Sequence, residues 1–162
     1  MKMRPIFLSF ILILGILTAG CGSLNGAAPE ERSLALEVLY KGSQCGTDGG
    51  AGASWIERPQ DLPAAFRRTG SFNWRVESEG VLWIRMGSQP SGGYGLELAN
   101  PLAIVRNRTA TIRIDWRYPP SDSFVTLAFT SPCILLKIPK AGLASIQVVD
   151  QEGLLRAQVA LP

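Results

Sequence analysis

Thr109-Ala110-Thr111-Ile112-Arg113-Ile114-Asp115-Trp116-Arg117-Tyr118 alternates without a break. Ala110, Ile112, Ile114, Trp116 and Tyr118 fall on one side, with Thr109, Thr111, Arg113, Asp115 and Arg117 on the other. Successive side chains of a strand point to opposite faces, so this run specifies a sheet with one buried and one wet face. Val81 to Gly87 differs: it is almost wholly apolar apart from Arg85, as a central strand would be.

Working outward, further short strands are expected at Leu34–Tyr40, Tyr94–Leu98, Phe124–Thr130, Ile134–Ile138, Ser145–Val149 and Leu154–Val159. Gly42 to Ala53 is rich in glycine and reads as a loop; its Gly49-Gly50-Ala51-Gly52 lacks the Lys-Ser/Thr pair and helix start of a phosphate cradle. Pro59 to Gly70 reads as the one helix of the mature chain. Proline stands early, arginines fall in the last turn, Gly70 is a stop, and Leu62, Ala65 and Phe66 share the buried face. Of the four tryptophans, Trp83 and Trp116 fit buried strand positions. The expected fold is α+β: a mainly antiparallel sheet domain with one short helix, spanning residues 33–162.

The first residues belong to export rather than to the fold. Lys2 and Arg4 precede an apolar run from Ile6 to Leu17, too short for a comfortable membrane span. Thr18-Ala19-Gly20-Cys21 then places small residues before a cysteine, as a bacterial lipoprotein signal peptidase requires. The expectation is a signal over 1–20, a diacylglyceryl thioether on Cys21 and a tether over 21–32. Buried acyl chains would anchor at roughly 0.8 kcal/mol per methylene. An ordinary secretory signal with an incidental cysteine, or a short signal anchor, are the alternatives. Gly22 rather than aspartate follows the cysteine, which favours the outer membrane, facing the periplasm, in a Gram-negative cell.

The chain holds 16 basic and 13 acidic residues, a net +3, and losing Lys2 and Arg4 with the signal leaves about +1. The remaining arginines are interspersed with acids, which argues against nucleic acid as a partner. Histidine is absent, removing the commonest general base and metal ligand. No serine has an activating partner in sequence, and Glu77 and Glu79 read as exposed charge. No Cys/His metal spacing exists. Neither catalysis, a metal nor a cofactor is therefore expected.

Two blocks in the second half carry more specific information. Gly87-Ser88-Gln89-Pro90-Ser91-Gly92-Gly93-Tyr94-Gly95 links two strands, and Thr130-Ser131-Pro132-Cys133 leads into another that ends at Pro139. Pro90 stiffens the link, Gly92 and Gly93 permit positive φ or close backbone approach, and Tyr94 opens the next strand. In this order, Gly87, Pro90, Gly92, Gly93, Tyr94, the loop prolines Pro119 and Pro120, then Thr130, Pro132 and Pro139 resemble the PrcB family over about residues 81–140. That family is named for an accessory subunit of a secreted bacterial protease complex. The resemblance implies a protein-binding role, with Gly87, Pro90, Gly92, Gly93, Tyr94 and Pro132 on an edge that grips a partner. The plainer reading is that these residues merely build a hairpin. Cys133 departs from the family pattern, which has an aromatic residue there.

With Cys21 taken by lipid, Cys45 and Cys133 remain as an even pair in an oxidising compartment. A bridge between them would close a long loop, worth roughly 4–5 kcal/mol in the chain-entropy account; two independent buried thiols are the alternative. The expected function is a lipid-anchored, non-catalytic envelope protein that binds an envelope or secreted protease as an accessory or inhibitor-like subunit. A structural or small-ligand-binding outer-membrane lipoprotein unrelated to proteolysis is the rival.

Overall fold

The alternating stretch Thr109–Arg117 forms a strand whose Ala110, Ile112, Ile114 and Trp116 are buried. It belongs to a computed structural model that describes residues 30–46, 50–67 and 72–162. The export signal, Cys21, most of the tether and the expected helix stop at Gly70 lie outside the described residues. In chain order the elements are β1 (Arg32–Ala35), β2 (Glu37–Gly42), β3 (Gly52–Ile56), a 3-10 turn (Pro59–Asp61) and α1 (Ala64–Arg67). Then come β4 (Glu79–Arg85), β5 (Gly95–Leu98), β6 (Leu102–Arg106), β7 (Thr109–Arg117), β8 (Cys133–Pro139), β9 (Ser145–Val149) and β10 (Leu155–Ala160).

Two sheets face each other. The first runs β1-β6-β7-β9-β10, with β5 paired to the far half of β7; the second runs β2-β8-β4-β3. All pairings are antiparallel except β7 with β9, which is parallel. Their shared core takes Leu82 and Ile84 from β4 and Ile134, Leu136 and Ile138 from β8. Ala110, Ile112, Ile114, Ile146 and Val148 meet them from the first sheet. The opposite face of the second sheet buries Val81, Trp83, Cys133 and Leu135 under Leu62, Phe66 and Trp74. Coverage on both sides is why β4 and β8 read as continuous apolar runs.

Several expectations need correction. Leu34–Tyr40 is two strands, not one: the chain leaves the first sheet at Leu36, whose N–H bonds the Pro101 carbonyl at 2.8 Å, and enters the second. Over its described residues, 59–67, the expected helix is broken into a 3-10 turn and one α turn. Leu62 precedes Pro63, whose ring disfavours helical backbone in the residue before it, and Leu62 sits at φ −61, ψ 138. Leu62 and Phe66 are nevertheless buried as expected; Ala65 is only half-buried.

Two strands went unread, β3 and β6. In β6, Leu102 and Ile104 face outward while Ala103 and Val105 face the core, so both faces are apolar and no alternation shows. The turn from β6 to β7 is Asn107-Arg108, both at positive φ (49 and 63), the two-residue hairpin geometry. Finally, Phe124–Thr130 is not a strand.

Candidate protein-binding surface

Residues 87–95 and 118–131 form two loops packed on one another at the end of the sandwich where β7 finishes. Their contact begins at Met86, whose N–H donates to the Pro132 carbonyl at 2.9 Å. Gln89 and Thr130 exchange backbone bonds at 2.7 and 2.9 Å, and the Thr130 hydroxyl donates to the Ser91 carbonyl at 2.8 Å. Gly92 N–H then reaches the Thr126 carbonyl at 2.9 Å. Tyr94 meets Tyr118 edge to face, with ring centroids 6.0 Å apart.

The two glycines of the turn have a definite steric task. Gly93 sits at φ +87, and a Cβ there would lie 2.8 Å from Pro119 Cβ and 3.2 Å from Val125 Cγ1. Gly87, at φ +80, approaches the Ala51 backbone nitrogen equally closely, at 2.9 Å from a notional Cβ. Gly93 is therefore a seat: without a side chain, it lets the 118–130 loop lie against the turn, while Gly87 admits the 50–51 backbone.

Cys45 and Cys133 are joined in a disulfide, with Cα atoms 5.9 Å apart, across 88 residues of chain. Cys45 N–H bonds both the carbonyl (3.1 Å) and the hydroxyl (3.0 Å) of Ser131, and Ser131 N–H returns to the Ser43 carbonyl at 2.8 Å. The neighbouring Gln44 amide donates to the Phe129 carbonyl at 3.2 Å. The bridge thus pins the 42–46 segment under the base of the loop.

On top of this base the loop presents apolar side chains to solvent. Phe124, Leu127 and Phe129 are exposed at 108, 93 and 75 %, and Tyr118 at 52 %. Of the six residues expected on the edge, Pro90 and Gly93 are exposed, Gly92 and Tyr94 half-buried, and Gly87 and Pro132 buried. The last two lie inside the fold: Gly87 against the 50–51 backbone, and Pro132 with its carbonyl accepting from Met86 N–H. Sequence reasoning did not single out Phe124, Leu127 and Phe129 as functional; their alternation read as an ordinary strand, and only the want of a neighbouring strand exposes them.

Charge is sparse on the loop but present beside it. Lys41 Nζ lies 2.9 Å from Glu97, which Arg117 also pairs. The Lys41 hydrogen bond, then the nearby Arg117 charge, outweigh partial burial and hold the Glu97 carboxyl below its ordinary value of 4.5. A recess of about 210 Å³ between Lys41, Tyr94, Leu96 and Glu97 opens next to the turn. A wider concavity of about 460 Å³ lies on the outer face of the first sheet, over Leu102, Ile104, Arg113 and Asp115. It opens to solvent on the wet face rather than into the core.

The structure is thus a two-sheet sandwich, antiparallel but for β7 with β9, bearing two loops packed on one another, one of which leaves large apolar side chains bare. Residues 81–139 match the family described as PrcB C-terminal. The resemblance read from Gly87–Tyr94 and Thr130–Pro139 therefore holds, from the second residue pair of β4 to the end of β8, and the matched stretch contains both loops. No curated protein and no solved structure matches the chain.

Proposed function

We propose that this chain is a lipid-anchored, non-catalytic protein of the bacterial envelope that binds a protease as an accessory or inhibitor-like subunit. The observation that carries the reading is the exposed set of Phe124, Leu127 and Phe129, on a loop packed against the turn and lying within the family match. Soluble proteins rarely leave three large apolar side chains together in water without a partner for them. Pro90, Gly93 and Tyr94 flank this set and complete its rim, with aromatic rings of the kind that dominate binding energy at interfaces. The anchor is the thioether expected at Cys21. It would hold the domain at the outer membrane, in an oxidising space consistent with the Cys45–Cys133 bridge.

The test is crosslinking in intact cells from a photoreactive residue at position 127, with mass spectrometry of the adducts. A protease among them, lost when Gly93→Val unseats the loop, supports the proposal; adducts with no protease overturn it. Palmitate labelling of wild type against Cys21→Ala checks the anchor separately, and an unlabelled wild-type chain removes it.

A further inference from the structure

The segment Ser123–Thr126 runs without a turn or bend, yet it pairs with no strand. Among the described residues, the backbone groups of Phe124 and Val125 make no hydrogen bond. The chain on either side of the Phe124–Val125 peptide is nevertheless held. Upstream, Ser123 N–H and hydroxyl both donate to the Pro120 carbonyl, at 3.1 and 2.7 Å. Downstream, the Thr126 carbonyl accepts from Gly92 N–H at 2.9 Å, and Val125 packs against the space that Gly93 leaves open. Between these two holds, Phe124 is 108 % exposed, more open than any other large apolar side chain of the described residues. The loop from Pro119 to Phe129 carries a single charge, Asp122.

We infer that this loop is a substrate-like segment, presented to the cleft of a serine-type protease whose primary pocket takes a large apolar side chain, with Phe124 filling it. Such clefts bind their substrates as unpaired chain through main-chain hydrogen bonds, and the primary pocket reads one side chain. Free backbone at Phe124 and Val125 meets the first need and the bare Phe124 ring the second. Leu127 is the lesser candidate because the chain bends there. Holding both flanks has a further effect. A rigid segment loses little freedom on binding, so affinity rises. The ends of a cut at Phe124–Val125 would also stay in place, so cleavage would be slow to release. This inference rests on the protease-partner reading above and specifies its mode.

Full-length protein in detergent is titrated into chymotrypsin hydrolysing a chromogenic phenylalanyl peptide, and into trypsin with an arginyl one. Competitive inhibition of chymotrypsin alone is expected. Phe124→Gly should weaken it by at least about 100-fold, the loss of one dominant aromatic anchor. Phe124→Lys should move inhibition from chymotrypsin to trypsin, a gain that a misfolded variant cannot show. Three results overturn the inference: no inhibition by wild type, scission after Phe124 as fast as in the unfolded chain, or a folded Phe124→Lys that inhibits neither enzyme. Dimerisation abolished by Phe124→Lys, without inhibition, would make a second copy the occupant and also overturn it. Should chymotrypsin go uninhibited while position 127 still crosslinks a protease in cells, the accessory-subunit reading stands and only the substrate-like mode falls.

Discussion

Replacing Gly93 by alanine isolates the contact on which the site is built. Gly93 has φ +87, where an L-residue costs about 1–2 kcal/mol. Its new Cβ would also stand 2.8 Å from Pro119 Cβ and 3.2 Å from Val125 Cγ1, so the loop must move or the turn must strain. Overpacking of this kind costs about 1–3 kcal/mol. Gly142 supplies the control: its φ is +71 and nothing lies within 4 Å of a Cβ built there. Gly142→Ala should therefore lose only the backbone part. The expected losses are about 1–2 kcal/mol for Gly142→Ala and about 2–5 kcal/mol for Gly93→Ala. In urea, the second should unfold about 1 M below the first at the slopes usual for small domains. Tyr118 fluorescence is masked by four tryptophans, so far- and near-ultraviolet circular dichroism follow the transition. Limited proteolysis adds a local readout, since an unseated loop is cut faster at Phe124 and Leu127. Equal midpoints for the two variants, with unchanged proteolysis, would falsify the claim that the turn seats the loop.

Other consequences follow from the same contacts. Removing the bridge with Cys45→Ala and Cys133→Ala together should cost about 4–5 kcal/mol by the chain-entropy account for a separation of 88 residues, read as a lower urea midpoint in wild type under reducing conditions too. Phe66→Ala should cost about 3–5 kcal/mol, because Phe66 is 1 % exposed and meets Tyr40 and Trp83 edge to face; a loss under 1 kcal/mol would mean that the second sheet's outer face is not packed by this turn. Burial pushes the Asp150 carboxyl up, but the Leu154 and Glu152 amides at 2.8 and 3.0 Å and Arg156 at 2.7 Å outweigh it, leaving the group below its ordinary 3.8. A depressed carboxyl stabilises fully above that ordinary value and progressively less as pH falls through the folded-state value, so acid unfolding of Asp150→Asn should be shallower below pH 3.8 than that of wild type.

Strand content was legible wherever burial imposed a period on the residues. The face of β7 follows directly from Ala110, Ile112, Ile114 and Trp116, and the apolar run Val81–Ile84 marks β4 as a central strand. β6 was hidden because Leu102 and Ile104 face solvent while remaining apolar, which erases the alternation. The helix over 59–70 obeyed its periodicity but not its backbone. Leu62 and Phe66 bury as a helical face would, while Pro63 forbids the turn that should connect them. The disulfide could be paired from parity, since only Cys45 and Cys133 remained.

The site was half legible, for a reason that lies in pairing rather than in propensity. Phe124-Val125-Thr126-Leu127-Ala128-Phe129 has the composition and alternation of a strand, and composition speaks only to what a residue prefers once a neighbour exists. Whether a neighbour exists depends on where β7 and β8 end, which no local window contains. The glycines of the turn were read correctly as places of close approach, but the thing approaching was missing from the reading, so the turn itself seemed to be the gripping part. In the structure Gly93 lies against Pro119 and Val125, and Gly92 N–H bonds the Thr126 carbonyl, so the 118–131 loop is what approaches.

The position of the loop also gives the site a direction. Arg106 pairs with Glu31 and Arg32 donates to the Ala141 carbonyl, so the chain enters the fold beside the β6–β7 hairpin. β7 runs away from that hairpin for nine residues, about 27 Å at ordinary strand rise, before Tyr118 begins the loop. A chain anchored at Cys21 would have a tether of at most about 40 Å before Arg32. The entry point and the side chains of Phe124, Leu127 and Phe129 thus lie toward opposite ends of β7. The proposed anchor, on a tether that can exceed the length of β7 itself, would leave this end free to turn toward a protein partner.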